Sequence, residues 1–199
     1  MRRALAAIIL TLALPVRADV FVSEDIIRHP STGRFSVCLN HSCETIVTQA
    51  ISHEDWQRVS APLQPAAPTA AAERQAIGHA LAIMEQIVGG LTGTASDKGG
   101  NLRGFGLPGQ MDCIDESTNA TSYLYLLESA GLLQHHTLTD RSTRFGLFVG
   151  MPHTTAVIRE TATGRRYAVD SWFFDNGQPP AIIELSAWKA GWRPGDAGE

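Results

Sequence analysis

The sequence predicts an α+β domain, and three observations carry that expectation. Runs rich in β-branched and aromatic residues lie near the start and in the last third, two stretches between them have helical periodicity, and glycine or proline punctuates most of the boundaries. Of 199 residues, 44% are hydrophobic and 18% charged, which suits one buried core and excludes a disordered tail, a collagenous rod or a fibrous repeat. Arg2 and Arg3 precede an apolar run from Ala4 to Leu14, and Val16-Arg17-Ala18 sets small residues three and one before Asp19. Residues 1–18 therefore read as a secretory signal, with the mature chain starting at Asp19 in the periplasm or outside the cell. The apolar run is shorter than the roughly 20 residues a bilayer span needs, so no membrane association is expected after signal removal. Losing Arg2, Arg3 and Arg17 leaves 13 basic against 20 acidic side chains. So acidic a chain has no electrostatic reason to grip nucleic acid or anionic lipid.

Residues 19–199 are expected to form a single domain, whose elements follow in order. Arg34 to Val37 and Glu44 to Thr48 flank Leu39-Asn40-His41-Ser42 and read as a hairpin. Cys38 and Cys43 face each other across it, and in an oxidising compartment they are expected to pair; a half zinc site with His41 has the weaker spacing. Ser52, with Glu54 and Asp55 behind it, caps a short helix carrying Trp56 and Val59, which completes a disulfide-hairpin region over 19–60. Residues 61–72 form a stiff Pro/Ala linker containing Pro62, Pro65 and Pro68. Ile77, Leu81, Met84 and Val88 mark an amphipathic helix over 70–88 with a stop at Gly89-Gly90. Its lone His79 is assigned no role. Residues 89–110 hold eight glycines and show no period, which predicts a long loop, the likeliest substrate-contacting element by position. From Cys113, a helix of about five turns runs through Ile114, Tyr123, Leu124 and Leu127 to Gly131.

The cysteine arithmetic leaves Cys113 as an unpaired thiol at a helix N-terminus. Unsatisfied N–H groups there favour a thiolate, whereas Asp112, Asp115 and Glu116 oppose it unless they point away, their plainer role being to cap the helix and its dipole. Beyond the helix, Phe145 to Val149 reads as a buried strand, and the runs Thr154 to Arg159 and Arg166 to Phe173 read as a hairpin around Thr161-Ala162-Thr163-Gly164. Folding that hairpin brings His153 near Asp170. An acid that orients an imidazole, beside a thiol the imidazole can activate, is the arrangement nucleophilic catalysis requires. His135 and His136 compete as bases but are expected to be exposed and without a paired carboxylate.

The order of Cys at a helix start, His at a strand start and Asp on the next strand resembles the transglutaminase-like branch of the papain-like cysteine hydrolases, which includes bacterial periplasmic transglutaminase-like cysteine proteinases. The resemblance covers mainly residues 105–175 and rests on Met111-Asp112-Cys113-Ile114-Asp115, Pro152-His153 and Tyr167-Ala168-Val169-Asp170-Ser171-Trp172. Asp170-Ser171-Trp172 is also similar to papain's Asn-Ser-Trp, whose Trp covers the His and its orienting group. It implies a papain-like α+β fold with the nucleophile helix packed on a small antiparallel sheet. By the same resemblance Cys113 is nucleophile, His153 general base and acid, and Asp170 orienting carboxylate. The chemistry implied is acyl transfer on a peptide, protein or cell-wall peptide, ending in hydrolysis or transamidation, with no cofactor or metal. Gln110 lies only three residues before Cys113 and does not match papain's oxyanion Gln, and the amino-terminal half matches no motif of the family. A peptidoglycan peptidase of NlpC/P60 type shares the Cys then His order but usually has His third. A binding module that keeps the fold without activity is the non-enzymatic alternative.

Overall fold

The computed structural model describes residues 26–101, 104, 106–145 and 152–196; the expected signal segment and its boundary at Asp19 lie outside them. The elements run β1 (Phe35–Leu39), β2 (Thr45–Gln49), α1 (His53–Ser60), a 3-10 turn (Ala61–Leu63), α2 (Ala70–Thr92), α3 (Cys113–Ser129), β3 (His136–Phe145), β4 (Pro152–Glu160), β5 (Arg166–Asp170), β6 (Ala181–Glu184) and α4 (Leu185–Lys189). β1 and β2 pair antiparallel, and β3 to β6 form a separate four-stranded antiparallel sheet in sequential order. Helices segregated from a sequential antiparallel sheet make this an α+β architecture.

The apolar period of α2 does what its spacing implies. Ile77, Leu81, Met84 and Val88 are buried in one cluster with Tyr123, Leu124 and Leu127 of α3, Phe35 and Val37 of β1, and Ala156, Ile158, Tyr167 and Val169 of the sheet. Strand alternation sends Val157, Ala168 and Ile183 to the opposite sheet face, where Leu185, Trp188 and Trp192 cover them. The sheet is thus covered on both faces. α3 is unusual in being buried over most of its surface while carrying Asp115, Glu116, Ser117, Thr118, Asn119, Thr121 and Ser122. Those side chains are tolerated because partners meet them, and the amino-terminal hairpin supplies several. Asn119 accepts from the Cys38 amide at 2.7 Å and donates to the Cys38 carbonyl at 2.9 Å.

Three expectations are corrected. α2 does not stop at Gly89-Gly90 but runs to Thr92 and ends on Gly93 in the left-handed region. Gly89 is there for clearance: a Cβ would lie 3.1 Å from the Ala95 backbone and 2.7 Å from Asn176 Nδ2. Of the buried strand expected over Phe145 to Val149, residues 146–149 lie outside the described ones, and Phe145 instead ends β3 (His136–Phe145) and is 79% exposed. His136 is buried rather than exposed. Its Nδ1 meets Glu73 at 2.8 Å and its Nε2 meets Arg74 at 3.2 Å. Arg74 can only donate, so Nε2 accepts and Nδ1–H donates to Glu73, which commits both ring nitrogens. Glu73 also accepts from the amides of Gln134 and His135, so the pair anchors the start of β3.

Candidate active site

The nucleophile candidate sits at the first residue of α3, and three carboxylate contacts hold it there. Asp112 is the N-cap, accepting from the amides of Ile114 and Asp115, while the Asp115 side chain accepts from the Asp112 amide in a reciprocal capping box. The remaining lone pairs of both acids face the β1–β2 turn. Asn40, His41, Ser42 and Cys43 all have φ between 54° and 66°, a left-handed run closed by the Cys38–Cys43 disulfide. Its successive N–H groups converge in a nest. The amides of His41 and Cys43 each donate to Asp115 at 2.7 Å, and the Ser42 amide donates to Asp112 at 3.0 Å. Burial and the neighbouring Asp112 push the Asp115 carboxyl up to about 6, against the pull of the Cys43, Asp112 and His41 amides. The amino-terminal hairpin is therefore a clamp on the start of α3. Cys38, Cys43 and Asp115 also bring their ligand atoms within 4.8 Å of one another, but bonded sulfurs have no thiolate to offer a metal.

Cys113 is a free, half-buried thiol, as the cysteine arithmetic requires. The expected depression of its pKa is not what its surroundings produce. Burial pushes the thiol up to about 11, with Asp112 and Asp170 adding to the rise and the Thr154 amide opposing it. Desolvation and two nearby acids outweigh the helix terminus. The same influences locate the thiol, since Thr154 follows His153 near the start of β4 and Asp170 ends β5.

The β4–β5 register pairs Ala156 with Val169, so by continuation Thr155 lies opposite Asp170 and His153 sits diagonally from it on the same sheet face. The side chains meet: His153 Nε2 lies 2.7 Å from Asp170 Oδ2, and both residues are essentially buried. Trp188 Nε1 donates to the same oxygen at 2.6 Å. Because Asp170 accepts from both, Nε2 carries the proton and Nδ1 presents its lone pair; Nδ1 is buried and, among the described residues, meets no hydrogen-bond partner. Trp172, Phe173 and Trp188 surround the imidazole with ring centroids at 5.0, 5.3 and 5.5 Å. Trp172 thus covers the His as expected, but Trp188 of α4 is what bonds the acid. Arg144 fastens Trp188 from behind, its guanidinium 4.4 Å from the indole ring and Nη1 bonded to the carbonyls of Trp188 and Trp192. Trp188 and Arg144 lie outside the expected strand and motif pattern, and only the aromatic composition of the carboxyl-terminal segment hinted at the first.

The glycine-rich loop proves to be a brace. Gly100 donates to the Trp172 carbonyl at 2.7 Å, Gly99 to Asp175 at 3.0 Å, and Asn176 to the Asp97 carbonyl at 3.1 Å. A Cβ on Gly99 would lie 2.4 Å from the Phe173 carbonyl oxygen, so only glycine allows the two backbones this approach. Gln110 is buried and spans the loop, donating to the Ser96 carbonyl at 3.0 Å and accepting from the Lys98 amide at 3.2 Å. The stretch Gly106 to Pro108 lines, with Asn40, His41 and Thr45, a groove of about 420 Å³. Among the described residues no helix is long and apolar enough to cross a membrane.

Cys113, His153 and Asp170 are thus drawn to one end of the sheet, whereas His135 and His136 are occupied at the other end of β3. Compared with known proteins, the chain matches no family model, no curated sequence and no solved structure.

Proposed function

We propose that this protein is an exported thiol acyl-transfer enzyme of papain-like, transglutaminase-like type, acting on amide or peptide bonds. The observation that carries the reading is the His153 imidazole, oriented through Nε2 by a carboxylate and presenting Nδ1 bare at the end of the sheet that receives the Cys113 thiol. In this reading Nδ1 takes the thiol proton as sulfur attacks the amide carbon. The carbonyl electron pair moves to oxygen, and the imidazolium then protonates the departing amine as the C–N bond breaks. Water resolves the thioester in a peptidase or amidase; a primary amine does so in a transglutaminase. A thiol pushed up to about 11 makes His153 a general base acting during attack rather than half of a standing ion pair. The Cys38–Cys43 disulfide supports an oxidising, periplasmic or secreted location, and peptides, proteins or cell-wall peptides are the substrates in view.

The raised thiol pKa also favours a second reading, a silent binding module of the same fold. One experiment separates them. The intact chain is treated with iodoacetamide without reductant, and each cysteine is followed by mass spectrometry. Labelling should occur at Cys113 alone, and His153→Ala should slow it roughly tenfold at pH 7, with the two rates converging near the thiol's own pKa. Equal rates at pH 7 would leave the silent module.

A further inference from the structure

Arg141 is a charge beside Cys113 for which the triad has no use. It lies at an irregularity of β3: Thr139 pairs with Val157, but Ser142 pairs with Thr155, so β3 carries one residue more than β4 between these points. Such a bulge reverses the facing of everything beyond it. Arg144 is thereby turned to the His153 and Trp188 face, and Arg141 to the α3 face. There Arg141 Nη1 donates to Thr118 Oγ1 at 2.6 Å and to Ser117 Oγ at 3.4 Å. Both hydroxyls already donate to the Ile114 carbonyl, which fixes their lone pairs toward the guanidinium. Ser117 follows Cys113 by about one helical turn on the same face, so the hydroxyl that Arg141 meets is the next side chain along that face of α3 from the thiol.

This guanidinium is placed but not neutralised. Among the described residues no carboxylate lies within ion-pair distance of it. Burial lowers its pKa from the ordinary value, and Cys113 is the group whose charge opposes that. Among the described residues its Nε and Nη2 meet no hydrogen-bond partner, and the side chain belongs to a half-buried residue. Those two nitrogens form the edge of the fork that receives a carboxylate in two parallel hydrogen bonds. A half-desolvated cation, pinned by hydroxyls through Nη1 and with Nε and Nη2 unpaired among the described residues, is suited to an anionic group on whatever the neighbouring thiol attacks.

We propose that Arg141 determines the specificity of the acyl-transfer site by binding a carboxylate that the substrate carries beside the scissile amide. The inference rests on the acyl-transfer reading, and it narrows the substrate to peptides with a free carboxylate at the reacting end or an acidic side chain next to it.

Two probes of equal reach test it on the full chain, the anion iodoacetate and the neutral iodoacetamide. The ratio of their rates at Cys113 cancels any effect of Arg141 on the thiol itself. Relative to the same ratio for glutathione, the wild-type ratio should be raised about tenfold; R141Q should abolish the gain and R141K keep part of it. Equal ratios in wild type and R141Q overturn the proposal. A readout that needs no variant is salt: the chain's net charge is −4, so general repulsion of iodoacetate would make the ratio rise with sodium chloride, whereas a local cation makes it fall. N-iodoacetylglycine and the α-amide of N-iodoacetylglutamic acid then separate the sources. Arg141-dependent acceleration of the first identifies a terminal carboxylate and of the second an acidic side chain, and acceleration of neither counts against Arg141. If His153→Ala leaves the iodoacetamide rate unchanged, the triad falls; if that dependence holds and the anion ratio is flat, only the role of Arg141 falls.

Discussion

Asp170 holds two donors on one oxygen, and each does a separate job. The His153 bond sets which ring nitrogen is bare, and the Trp188 bond keeps the carboxylate turned toward the ring. Asp170→Asn can keep a hydrogen bond to His153 but loses the charge that stabilises the imidazolium, and Asp170→Ala loses both. Cys113 alkylation at pH 7 should therefore fall in that order. Trp188→Phe keeps most of the packing and removes only the Nε1 donor, so its rate should lie between wild type and Asp170→Ala. Circular dichroism on each variant separates this from misfolding. Equal rates across the series would reduce Asp170 to a strand residue.

At the scale of elements, the amino-terminal hairpin and α3 form one unit. The Asn119 amide pairs with both backbone groups of Cys38 in a buried setting. Asn119→Ala leaves a buried N–H and a buried C=O without partners, so unfolding in urea should show a loss of about 2–4 kcal/mol. The disulfide closes a loop of only five residues' separation, worth about 2 kcal/mol on the chain-entropy account. Its larger effect is local, because it closes the turn whose amides clamp Asp112 and Asp115. Reduction followed by alkylation of Cys38 and Cys43 should raise hydrogen exchange at the start of α3 more than in β4 to β6. Uniform exchange across both regions would show that the clamp is not local.

For the whole molecule, the pH profile follows from buried acids. Burial raises Glu85 to about 7 and Asp115 to about 6, and it holds Glu116 well above its ordinary value. A raised carboxyl binds its proton more tightly in the fold than in the unfolded chain. Its stabilising contribution is complete below the unfolded value and is lost as pH rises through the folded one, a window from about 4 to 7 for Glu85 and Asp115. His136 opposes them, since burial lowers it and stability falls as it is protonated. Burial raises Asp97 too, so the raised acids outweigh this one base and the thermal midpoint should fall by several degrees between pH 5 and pH 8. Glu85→Gln should flatten that decline. A midpoint that rises over the same range would contradict the assignment.

Local chemistry was enough for several features. The spacing of Ile77, Leu81, Met84 and Val88 decides which face of α2 is buried, Ser52 and Asp112 cap the helices they precede, and two close cysteines leave Cys113 as the third. His153 and Asp170 were legible because a strand's alternation and a short turn suffice to bring them together. What the sequence could not disclose depends on distant parts of the chain meeting. Gly89 looks like a helix stop until Ala95 and Asn176 pack against it, and His136 looks exposed until Glu73, 63 residues away, reaches its ring. The thiol pKa is of the same kind: a helix N-terminus is visible in sequence, but the burial that outweighs it exists only once α3 is packed among strands. So too are Trp188 beneath Asp170 and Arg141 beside Cys113, the one delivered by a carboxyl-terminal helix and the other by a single extra residue in β3. Hydrophobic period and capping are properties of neighbours in sequence, whereas desolvation and long-range pairing belong to neighbours in space.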